Sequence, residues 1–168
     1  MHQRLTVRHL TINALVAALY IALSLGPATL NLASGAIQCR ISEGLNHLVV
    51  FNRKYIYGIV TGVFIFNMLF SSIGWLDMIF GTGQSLVTLL IVSWLAPKLP
   101  QLWQKMVLNT LLMTFSMFLI AIELHIALKL PFWATYGSTA LSELFIMAVT
   151  APIMVALDRV LKFEQRMK

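Results

Sequence analysis

Between residues 55 and 73 the chain carries no charged side chain, and runs of this kind recur along its length. A helix needs about 20 mostly apolar residues to cross the hydrocarbon core of a bilayer. Residues 55–73, 78–96, 105–129 and 134–157 have that character, and residues 9–25 come close. In lipid every backbone N–H and C=O must find its partner inside the protein, so these runs must be helical. Hydrophobic residues make up 59% of the 168 and charged ones 11%, against about 25% charged in a soluble domain. The expected fold is one all-α integral membrane domain over residues 1–168.

Taken in order, the first span follows Arg4 and Arg8 and is ended by Gly26-Pro27. Its length and the spans behind it mark it as an uncleaved helix rather than a signal peptide. Residues 28–38 lack a helical period and contain Gly and Asn, which predicts an extended outer loop between segments 1 and 2. Residues 41–51 form a second apolar run, too short to cross alone, closed by Arg53-Lys54. Gly74 to Asp77 make a tight connection, Pro97 and Pro100 stop the fourth span, and Leu130-Pro131 separates the fifth from the sixth. The tail from Arg159 is basic.

Six segments put both termini on one side. With the termini inside, Arg4, Arg8, Arg53, Lys54, Lys98, Lys105, Arg159, Lys162, Arg166 and Lys168 all fall there. Only Arg40 and Lys129 remain outside. Cytoplasmic loops of membrane proteins carry the excess of Lys and Arg, so a plasma-membrane protein with cytoplasmic termini is expected. The net charge of +6 thus reports orientation and not nucleic-acid binding. The single cysteine, Cys39, excludes an intramolecular disulfide. No glycine-rich phosphate loop is present, so uphill transport would need another subunit or an ion gradient.

Charge inside such a chain is costly, and ionisable groups there face a cavity or a partner. Arg40 and Glu43 stand three apart at the mouth of the second segment, a spacing that puts both on one helical face as an ion pair. Glu43, Asp77, Glu123 and Glu143 come from four segments, all in the outer half or near the midplane. Asp77, Gly81, Gln84 and Thr88 form one polar stripe on the fourth span. Asn67 lies at similar depth on the third and serves either an interhelical bond or a ligand. Trp75, Phe132, Trp133 and Tyr136 gather at the outer rim, as an interfacial belt or as a stacking platform. His47 and His125 have no second ligand at helical spacing, so no metal site is expected. These groups suit a small, flat or cationic polar solute, because carboxylates accept paired donors or an ammonium while amides read a carbonyl edge.

Two stretches carry a resemblance: Ile37-Gln38-Cys39-Arg40-Ile41-Ser42-Glu43, and Leu76-Asp77-Met78-Ile79-Phe80-Gly81-Thr82-Gly83. Together they resemble the queuosine-precursor transporter family of QueT type, the substrate-binding S components of energy-coupling factor (ECF) transporters. The likeness is densest over residues 35–90. It implies capture of an aminomethyl-deazaguanine from outside, and the groups placed together by charge, depth and the rim, Arg40, Glu43, Asn67, Trp75, Asp77, Gln84, Glu123, Trp133 and Glu143, are the candidate contacts for it. It also implies partners, namely a transmembrane coupling subunit and two ATPase subunits that use ATP, with no cofactor in this chain.

Ala14, Ala18 and Ala22 recur every four residues on the first span, which permits close helix approach in lipid. The resemblance makes this face the dock for the coupling subunit; internal packing is the alternative. The rival functions are a self-sufficient carrier for another base or vitamin, and a small intramembrane enzyme built on Glu123, His125 or Glu143.

Overall fold

The computed structural model describes residues 6–29, 40–71 and 73–168. Among them the regular structure is entirely helical, and four helices are long and apolar enough to cross a membrane. The long elements are α1 (Val7–Thr29), α3 (Ile56–Phe70), α4 (Trp75–Leu95), α5 (Leu102–Leu128) and α6 (Phe132–Leu161). Between α1 and α3 lie a 3-10 helix (Ile41–His47), the single turn α2 (Leu48–Phe51) and a second 3-10 turn (Arg53–Tyr55). A last short helix, α7 (Phe163–Arg166), follows α6.

Several boundaries differ from expectation; α4, for one, already starts at Trp75, within the connection read as Gly74 to Asp77. α1 continues past Gly26-Pro27 to Thr29, because a proline near a helix end removes one donor from a turn that has few bonds left to lose. The extended loop predicted from residue 28 lies, beyond Thr29, outside the described residues. α3 has 15 residues, about 22 Å at 1.5 Å per residue, and so is shorter than the 55–73 span read from hydropathy. Its first turn is 3-10, with the Asn52 side chain accepting from the Lys54 N–H at 3.0 Å.

The helices pack in series, α1 on α3, α3 on α4, α4 on α5 and α5 on α6. The short 3-10 helix touches both α1 and α6 and closes the bundle. That placement explains why residues 42–49 are buried although the segment cannot span. α1 and α3 approach closely: the Gly58 N–H donates to the Asn13 side-chain Oδ1 at 2.9 Å, and a Cβ on Gly58 would come within 2.6 Å of the Asn13 backbone carbonyl. Such close approach is how helices gain packing energy in lipid, where no hydrophobic force drives them together.

Tyr20, Leu48, Ile59, Val63, Leu89, Met113 and Met147 belong to the core. Large apolar side chains such as Leu15, Ile79, Phe115, Leu141 and Phe145 point outward instead, as a lipid-facing surface requires. The protein is a multi-pass membrane protein. Lys54 Nζ donates to the Met167 carbonyl at 2.9 Å and lies 3.4 Å from His9 Nε2, so the first turn of α1 and the C-terminal residues meet at one end of the bundle. His47 is fully buried between the Met147 carbonyl at 3.0 Å and the Asn109 amide at 3.1 Å, and so ties the second segment to α5 and α6.

Candidate functional site

Arg40 precedes the 3-10 helix with an extended backbone, φ −98° and ψ 104°. It therefore does not share the face of the residues that follow it. Glu43 stays a charged neighbour of Arg40, as its spacing suggested, but the described hydrogen bonds of each ion go to other partners. Arg40 Nη1 donates to Asn67 Oδ1 at 3.1 Å, Nη2 lies 3.8 Å from Asp77 Oδ1, and the guanidinium sits 5.4 Å from the Phe66 ring centre. Asn67 completes the set by donating from Nδ2 to the Asp77 carbonyl at 3.0 Å. The approach depends on Gly81, where a Cβ would stand 2.6 Å from Asn67 Nδ2. One guanidinium and one amide thus fasten the second segment to the end of α3 and the start of α4.

Glu43 is held from the other side. The Tyr20 hydroxyl of α1 donates to Oε1 at 2.5 Å, and Asn46 Nδ2 donates to Oε2 at 2.6 Å. Ser24 and Ser42 share a hydroxyl hydrogen bond of 2.7 Å one turn away. Hydrogen bonds to a charged acceptor are the strong ones, so Glu43 is fixed in position.

Glu123 and Glu143 complete the cluster. Glu123 has Asp77 and Arg40 as its charged neighbours, and Glu143 has Glu43 and Arg40. All four carboxylates are buried, Glu123 fully, around one guanidinium. Both oxygens of Glu123, Asp77 Oδ2 and Glu143 Oε1 find no donor among the described residues. A buried carboxylate oxygen without a donor is costly. Four acids beside one base also repel one another, so the arrangement favours a cationic, donor-rich guest.

The remaining candidates divide. Asn67 joins the cluster as described. Gln84 is buried and engaged at both ends: Nε2 donates to Ser116 Oγ at 2.5 Å and Oε1 accepts from Ser85 Oγ at 3.1 Å. It joins α4 to α5. Trp75 and Trp133 are 66% and 79% exposed, unlike the buried carboxylates. Ala14, Ala18 and Ala22 are exposed on α1, while Ala17 packs at Gly62.

Sequence reasoning passed over Tyr20, Asn46 and Phe66, all buried at the cluster. It also passed over Thr135 and Thr139, buried on the same face of α6 as Glu143 at four-residue intervals. That last stripe was readable as the α4 stripe was. Tyr20 and Phe66 gave no such signal, since an aromatic inside an apolar span looks like any other member of it.

Comparison with known proteins follows the same lines. The model of the QueT transporter family matches residues 10–159. The queuosine precursor transporter QueT of Lactococcus lactis subsp. cremoris is 35% identical over 153 residues, covering 87% of this chain and 89% of that protein. No solved structure matches the chain. The family and this relative are transporters and not enzymes, which sets the intramembrane-enzyme reading aside. The chain belongs to the QueT transporter family.

Proposed function

We propose that this chain is the substrate-capture subunit of an ECF-type importer and binds a queuosine precursor, an aminomethylated deazaguanine, within the carboxylate cluster. One observation carries the reading: four buried carboxylates converge on a single guanidinium, and four of their oxygens lack a donor among the described residues. A deazaguanine offers a ring N–H and an amino group side by side, which one carboxylate accepts together, while the aminomethyl group is a cation that a second carboxylate balances. Glu143, deep in α6, suits the base edge. Glu123 with Asp77 suits the ammonium. Glu43, already held by Tyr20 and Asn46, orients the floor of the site.

The same reading places six segments in the cell membrane with both termini cytoplasmic, supported by ten of the twelve Lys and Arg falling on that side. Transport then needs an energising module, a coupling membrane subunit with two ATPases, because the chain has no phosphate-cradling loop of its own. The exposed Ala14, Ala18 and Ala22 offer the coupling subunit a face of small side chains that the internal packing of α1 leaves uncovered. Titration calorimetry of the purified protein with an aminomethyl-deazaguanine, guanine and a vitamin panel tests the reading. Selective binding of the first supports it. Binding of an unrelated vitamin instead would keep a transporter and discard this substrate.

A further inference from the structure

An apolar groove lies beside the start of α1 and the C-terminal residues. It is an open groove of about 590 Å³ between α1 and α6, within the range of about 300–1,000 Å³ typical of ligand sites. Leu15 and Leu19 of α1 face Met154 and Leu161 of α6, and Leu45 and Leu48 of the short second segment lie between them. The groove exists because α1 and α6 are bridged by that slim segment, which packs on both but leaves a trough between them. Its apolar walls end at Arg8 and Arg166, both of which line it and both of which are charged neighbours of Tyr55.

Neither arginine is committed to an acid. Arg8 makes no hydrogen bond or ion pair among the described residues, and Arg166 donates from Nε to the Leu161 carbonyl at 3.1 Å. Two acids lie nearby, Asp158 sharing Tyr55 with both arginines as a charged neighbour. Asp158 Oδ1 accepts from the Phe163 N–H at 2.8 Å, and Glu164 pairs with Lys168 at 2.9 Å. An apolar trough lined by two arginines suits a lipid with an anionic head. Basic pockets between membrane helices are recognised sites for such headgroups.

We propose that this groove binds one anionic phospholipid, an acyl chain lying on Leu15, Leu48 and Met154 and the phosphate between Arg8 and Arg166. The site is separate from the carboxylate cluster and stands or falls without it. Native mass spectrometry of the protein equilibrated with phosphatidylglycerol and phosphatidylcholine tests it, alongside Arg8→Gln/Arg166→Gln and the groove-filling Leu15→Trp. The parent should retain one phosphatidylglycerol with a preference of about tenfold over phosphatidylcholine. The double arginine variant should lose that preference, and Leu15→Trp should lose retention of both lipids, with thermal unfolding of each variant close to the parent's. Equal retention of the two lipids by the parent would overturn the proposal. So would an unchanged preference in the double arginine variant, or a dimer of this chain in place of the lipid adduct.

Discussion

The Tyr20 hydroxyl donates to Glu43 Oε1 at 2.5 Å, across 23 positions of sequence and with both side chains buried. It is the direct link between α1, whose opposite face carries the exposed alanines, and the carboxylate cluster. Removing the hydroxyl by Tyr20→Phe leaves Glu43 with a buried oxygen short of a donor, a loss worth about 1–3 kcal/mol. Ligand affinity is expected to fall several-fold in calorimetry, and thermal unfolding should shift down. Unchanged affinity would show that Glu43 needs no positioning from α1.

Gly81→Ala tests the Arg40–Asn67–Asp77 chain without removing a charge, although the new methyl also comes within 3.2 Å of Asp77 Oδ1. The new methyl meets Asn67 Nδ2 at 2.6 Å, so the amide must swing and give up the Asp77 carbonyl. Loss of that buried bond should destabilise the protein by about 1–3 kcal/mol, read as a lower unfolding midpoint. A companion Gly83→Ala, with open space around it inside α4, should hold or slightly raise the midpoint, since Ala favours the helix over Gly.

The start of the second segment shows what the sequence made legible and what it did not. Four carboxylates from four segments were readable as a set, because each interrupts an apolar run. The stripe Asp77, Gly81, Gln84 and Thr88 was readable for the same reason, and all four are buried. The hydrogen bond of Arg40 to Asn67 and its approach to Asp77 were not, although Glu43 is one of its charged neighbours. Spacing pointed to Glu43, but that rule assumes both residues lie within a helix, and Arg40 stands before it in an extended conformation. The short segment's 3-10 form and its position between α1 and α6 come from tertiary packing, which hydropathy does not encode. Trp75 and Trp133 were open between belt and platform, and their exposure favours the belt.

Replacing Ala14, Ala18 and Ala22 by Leu enlarges a face that points away from the bundle. Ligand binding by the isolated protein should persist. Co-purification with the coupling subunit, and uptake by cells expressing both, should be lost. A loss of ligand binding would place this face inside the fold instead.

Orientation is open to chemistry on intact cells. With Cys39 replaced by Ser, a cysteine at Trp133 should react with an impermeant maleimide, and one at Lys98 should react only after lysis. Labelling at Lys98 from outside would move the carboxylate cluster to the cytoplasmic half.

The most direct measurement is calorimetric titration of an aminomethyl-deazaguanine, and of the same base without its aminomethyl group, into the parent, Glu143→Gln, Glu123→Gln and Asp77→Asn. Glu143→Gln should weaken both ligands by about tenfold or more, since paired donors lose a charged acceptor. Glu123→Gln and Asp77→Asn should weaken the aminomethylated base more than its neutral counterpart. Unchanged affinity for both ligands in all three variants would contradict the carboxylate cluster as the substrate site.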